Sequence, residues 1–211
     1  MKSRDQQPGE EKINALTHAI GIVFCVIATP VLLLRMDMGS TPTLFYASLT
    51  FMIGMLLVYT SSTLYHLTSD PQKKVFLKKI DHICIYILIA GSYTPFITEY
   101  TSSQTAFWFL SLMWLIVLLG AFFKLFFIDR LKRLSVVLYL VMGWMIIFVA
   151  KPIYEQMPLD VFYWVLAGGL SYTIGVYFYA TSHKLYHHAI WHVFVLGGSI
   201  FHYMAVSVLV H

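Results

Sequence analysis

Apolar residues in this chain fall into seven long runs, separated by short polar stretches rich in turn residues. About 20 apolar residues carry a helix across the hydrocarbon core of a bilayer. On that measure the runs predict helical spans at residues 15–34, 43–65, 80–97, 105–127, 134–149, 161–179 and 188–210. The connecting turns fall at 39–42, Asp70-Pro71, 100–104, Asp129-Arg130 and 156–158. Pro30 and Pro95 lie inside predicted spans, where neighbouring helices can satisfy the carbonyls that proline frees. The predicted architecture is all-α: a polytopic bundle of seven transmembrane helices spanning residues 15–211, preceded by a short polar segment, 1–14.

Composition agrees. Of 211 residues, 59% are hydrophobic and 11% charged, where soluble domains carry about 25% charged residues. The first apolar run is too long for the core of a cleaved signal and lacks a small-residue cleavage site, so it reads as a retained span. Cys25 and Cys84 sit within apolar runs and read as small core residues rather than a disulfide framework.

The net charge of +4 does not point to nucleic acid, because the basic residues are scattered over the loops. They bear on orientation instead. With the N-terminus inside, Lys2, Arg4, Lys12, Lys73, Lys74, Lys78, Lys79, Lys124, Arg130, Lys132, Arg133 and Lys184 gather on the inner side, leaving Arg35 and Lys151 outside. This predicts a cytoplasmic N-terminus and an outer C-terminus. The cluster Lys73, Lys74, Lys78 and Lys79 reads first as a topology signal, with anionic headgroup binding as the alternative.

Orientation gives the polar residues their depth. Ser62 and His66 lie at the inner end of the second span, one turn apart on one face. Asp81 and His82 open the third span, and His188 and His192 open the seventh, again one turn apart. Three helices thus bring His66, Asp81, His188 and His192 to one inner-leaflet layer. Ionisable groups at membrane depth mark functional sites by default. Three neutral imidazoles form the ligand set of a catalytic zinc site with a fourth position open to water, whose pKa such a metal lowers to about 7.

Asp81 is then the candidate for orienting or deprotonating that water, and Ser62 for donating to a developing oxyanion. Unrelated interfacial histidines and a bis-histidine haem are the competing readings. Asp81 could also be a plain helix cap, and Ser62 a packing residue. His82 points about 100° away from Asp81 and reads as interfacial. His202, about 21 Å along the helix from His188, reads as a structural hydrogen-bonder. His18 divides between packing and support of the site. His183 and His187 read as loop residues, and the terminal His211 carries no information.

The motifs Ser62-Thr-Leu-Tyr-His66, Asp81 in Lys79-Ile-Asp-His82, and His188-Ala-Ile-Trp-His192 resemble those of the progestin and adipoQ receptor (PAQR) family. Glu11-Lys-Ile-Asn14 with Thr17-His18, Gly91-Ser-Tyr-Thr-Pro-Phe96, and the stretch from His192 to His202 bring the chain closest to its bacterial hemolysin III branch. The resemblance covers essentially the whole membrane domain. It implies a seven-helix bundle, N-terminus inside, holding Zn2+ on His66, His188 and His192 near the cytoplasmic face. Asp81 would reach the metal through water, with Ser62 close by. The family is similar to alkaline ceramidases, which implies a hydrolase of a lipid amide or ester acting in membrane lipid homeostasis. The branch is also associated with red-cell lysis. The alternatives are therefore a non-enzymatic sensor or receptor, or a pore-forming cytolysin, with a structural zinc. No span shows the continuous polar stripe of an aqueous channel. The expected partner is a membrane lipid, and no oligomeric state follows.

Overall fold

A computed structural model describes residues 6–127 and 132–210, with the side chains of Lys132 and Arg133 excepted. The predicted Asp129-Arg130 turn, Lys2, Arg4 and His211 lie outside the described residues. The helices are α1 (Pro8–Leu33), α2 (Pro42–Leu67), α3 (Pro71–Tyr100), α4 (Ser103–Phe127), α5 (Lys132–Gly143), α6 (Ala150–Gln156), α7 (Leu159–Ala180) and α8 (His187–Leu209), with a 3-10 turn over Met145–Val149. There is no strand among the described residues. Among the described residues seven helical stretches are long and apolar enough to cross a membrane, the fifth running over Leu134–Gln156. The protein is an all-helical, multi-pass membrane protein.

Helix starts follow local chemistry. Proline stands at the first helical position of α1, α2 and α3, where its missing N–H costs nothing and its fixed φ suits the helix. Asp70 caps α3 by accepting from the Lys73 amide at 2.9 Å. At α1 the Gln7 amide donates to Glu10 Oε2 at 3.0 Å. That helix therefore begins two turns before the predicted span, inside the segment read as a polar lead, because its acidic first turn is itself helix-stabilising.

The fifth span also differs from expectation. It was expected to end at residue 149, with Lys151 in an outer loop; instead it breaks and resumes as α6, which carries Lys151. Pro152 cannot donate to the carbonyl four residues back and clashes with it, so an unbroken helix is excluded here. Tyr93 of α3 bridges the break: its hydroxyl donates to the Gly143 carbonyl at 2.6 Å and accepts from the Ile146 amide at 3.2 Å.

The bundle is built from close neighbours, α2 on α3 and α7 on α8, with α1 packed against both α2 and α8 and α3 touching α4, α5 and α6. Small residues allow the approach. A Cβ on Gly91 would stand 3.2 Å from the Thr50 carbonyl oxygen, and one on Gly168 only 2.1 Å from the His202 ring. Without a water-driven hydrophobic force between helices in lipid, such packing and interhelical hydrogen bonds hold the bundle.

Helix α1 shows the resulting inversion. Its buried stripe is Glu10, Asn14, His18, Gly21, Cys25, Ala28 and Leu32, while Leu16, Ile20, Val23, Ile27 and Val31 are exposed where lipid would lie. Polar side chains pay least where protein partners await them.

Candidate metal centre

The end of the bundle that holds the start of α1 also holds the last turn of α2 and the start of α8. His66 comes from that end of α2, His188 and His192 from the first two turns of α8. One nitrogen of each lies within 4.8 Å of the others, and these three residues could hold a metal ion. Their ring centroids are 5.2, 5.1 and 4.6 Å apart for His66–His188, His66–His192 and His188–His192. The Nε2 atoms of all three are buried with no hydrogen-bond partner.

The tautomers of two follow from their partners. His66 Nδ1 faces Glu11 Oε2 at 2.5 Å, and a carboxylate oxygen that accepts obliges Nδ1 to carry the hydrogen. His192 Nδ1 faces the Asn14 carbonyl oxygen at 3.1 Å and Thr17 Oγ1 at 3.2 Å. The Thr17 hydroxyl donates to the Asn14 carbonyl at 2.8 Å, so it too accepts from His192. In both rings the lone pair is left on Nε2, the atom without a partner. Unsatisfied buried polar atoms are rare and costly; three converging imidazole nitrogens are the donor set that zinc and similar cations take. Among the described residues no fourth imidazole, thiolate or carboxylate joins the group.

Asp81 is buried within α3 and does not enter the ligand group. Its carboxylate lies 3.5 Å from His82 Nδ1, and Ser62 and Lys124 bear on it. The Ser62 hydroxyl is buried and short of a well-formed hydrogen bond. Lys124, expected to mark the inner interface, is instead 2% exposed, its ammonium 5.9 Å from the Tyr139 ring centroid. A lysine at a span end can snorkel outward or turn in; beside Asp81 it turns in.

His82 was expected to sit at the interface. The fold gives its ring two partners: Nδ1 donates to the Lys78 carbonyl at 2.7 Å, which leaves Nε2 to accept from Tyr179 at 3.4 Å. His202 hydrogen-bonds the Val165 carbonyl at 3.3 Å, the structural role expected of it. His187, expected in a loop, opens α8 and meets Thr181 Oγ1 at 2.8 Å.

Beside the triad lies an apolar cavity of about 190 Å³ among α3, α5, α7 and α8. His18 and Trp191 line it, and both touch the triad. The His18 ring stacks on His192, and Trp191 packs on His188 with centroids 5.0 Å apart.

A family model described as haemolysin-III related matches residues 6–203. The chain belongs to the hemolysin III family. It is 36% identical to Hemolysin-3 of Bacillus cereus over 197 residues, covering 93% of this chain and 90% of the relative. Identity to the Hemolysin-3 homolog of Bacillus subtilis (strain 168) is 41% over 191 residues, covering 90% and 89%. The human monocyte to macrophage differentiation factor is 27% identical over 206 residues, covering 93% and 83%. These matches extend the family to a PAQR-type animal relative and place a multi-pass protein of this kind in a bacterial plasma membrane.

Proposed function

We propose that this hemolysin III-family protein is a zinc-dependent hydrolase of a membrane lipid, cleaving an amide or ester link near the cytoplasmic face. The observation that carries this reading is the set of three buried, partnerless Nε2 atoms beside an apolar cavity. A zinc ion held by His66, His188 and His192 would supply a Lewis acid that polarises a carbonyl and readies water for attack near neutral pH. Three protein ligands favour catalytic over structural zinc, since structural sites are closed by four.

The remaining roles belong to the chain. Asp81 accepts, on a carboxylate oxygen, the proton released as water attacks, and passes it to the leaving nitrogen or oxygen. Ser62 Oγ donates to the oxygen on which charge develops. The cavity takes an acyl chain and keeps bulk water from the reacting bond.

The test is metal content by mass spectrometry of the purified protein in lipid nanodiscs, followed by hydrolysis of N-acyl and O-acyl lipids. One zinc per chain is expected. His188→Ala should lose metal and turnover, while Asp81→Ala should keep the metal and lose turnover. Turnover surviving in Asp81→Ala would remove the proposed proton acceptor; a zinc-free, well-folded wild type would remove the hydrolase. Since two Bacillus relatives bear the name hemolysin, dye release from vesicles is the companion assay for lysis.

A further inference from the structure

Helix α1 contributes no metal ligand, yet it faces the triad with its most polar side. At 100° per residue, Glu10, Glu11, Asn14, Thr17, His18 and Gly21 fall within a sector about 120° wide. Glu11 uses both carboxylate oxygens: Oε2 meets His66 Nδ1 at 2.5 Å and Oε1 meets Lys74 Nζ at 2.9 Å. Lys74 in turn donates to the Thr68 carbonyl at 3.3 Å, closing the gap between the end of α2 and the start of α3. The second ligand on α8, His192, rests its Nδ1 on the Asn14 carbonyl and Thr17.

Glu10 acts one step further out. Its Oε1 accepts from the Tyr186 amide at 3.0 Å, the residue that launches α8 with φ 59°. A tyrosine in the left-handed region is strained, and such strain persists only where surrounding contacts over-determine it. A buried glutamate supplies such a contact, two residues before His188.

We propose that Glu11 is a positioning residue of the metal centre, fixing the tautomer and ring direction of His66 through a carboxylate–histidine pair that Lys74 holds in place. The start of α1 is thereby the outer shell of a site whose ligands all come from α2 and α8. This rests on the metal reading given above. Partners of this kind orient the ligand ring, and their loss costs about 10–100-fold in metal affinity.

The test measures the zinc dissociation constant of the full chain in nanodiscs by competition with a chromophoric chelator, with Co2+ absorption as a second readout. Glu11→Gln keeps size and removes charge; Glu11→Leu removes the acceptor altogether. Both should bind zinc about 10–100-fold more weakly and shift the cobalt ligand-field bands, while the metal-free proteins keep wild-type helicity. Wild-type affinity and spectrum in both, with His66→Ala losing the metal, would overturn the positioning role and leave the centre intact. Wild-type affinity in His66→Ala would overturn the metal reading itself. If the Glu11 variants do not fold, Lys74→Met probes the same pair: weaker zinc binding is expected, and an unchanged affinity overturns the proposal.

Discussion

The imidazole of His18 stacks on that of His192, ring centroids 3.6 Å apart and planes 18° off parallel. Both His18 nitrogens are buried without partners, so the ring acts here as a plate rather than as a hydrogen-bonding group. A buried polar group left unsatisfied costs about 1–3 kcal/mol. His18→Phe keeps the plate and removes that cost. It is expected to retain one metal per chain and to hold or raise the thermal midpoint in nanodiscs. Metal loss in this variant would show that a nitrogen of His18, not its face, serves the centre.

Tyr93 satisfies two backbone groups where the fifth span breaks. Tyr93→Phe leaves the Gly143 carbonyl and the Ile146 amide without that hydroxyl, in surroundings where no water replaces it. A destabilisation of about 1–3 kcal/mol is expected, read as a lowered thermal midpoint with the metal retained. An unchanged midpoint would mean that the break is held by Pro152 and packing alone.

At Gly168 a single methyl group decides the fit of α7 on α8, for the Cβ would stand 2.1 Å from His202 Cδ2 and 2.4 Å from its Nε2. Gly168→Ala must push the imidazole off the Val165 carbonyl or part the helices, at about 1–3 kcal/mol. Gly169→Ala meets open space and is the control. Equal thermal midpoints for the two variants would show that α7 and α8 do not pack at this distance in the membrane.

Charge predicts that the triad lies on the cytoplasmic side. With buried Lys124 set aside, eleven of the 14 lysines and arginines fall on the predicted inner side, and a cytoplasmic N-terminus is still what charge predicts. A phosphatase fused after His211 should be active, since that enzyme works only outside the inner membrane. A green fluorescent protein fused there should stay dark after export. The reverse pair of results would invert the topology and place the metal centre outside.

Much of this was legible in the runs of apolar residues, because a bilayer asks every span for the same length and every backbone group for an internal partner. His66, His188 and His192 could be brought to one layer by counting positions along three spans, since depth in a helix is rise per residue. Where prediction fell short, local signals were ambiguous. The acidic start of α1 reads as ordinary helix capping, and Lys124 as one more interfacial cation. Only contact across the bundle distinguishes these roles: Glu11 meets a ring 55 positions away, and Glu10 an amide 176 positions away.

The sequence by itself determined the number of spans, the helical class and the depth of the histidines, all of which follow from hydropathy and pitch along one dimension. Tertiary structure alone decided which lone pairs remain free, which carboxylate holds which imidazole, and that a helix without a ligand backs the site. Those depend on the rotation of each helix about its own axis, which is set by the small residues and hydrogen bonds where helices meet, and not by the length of any apolar run.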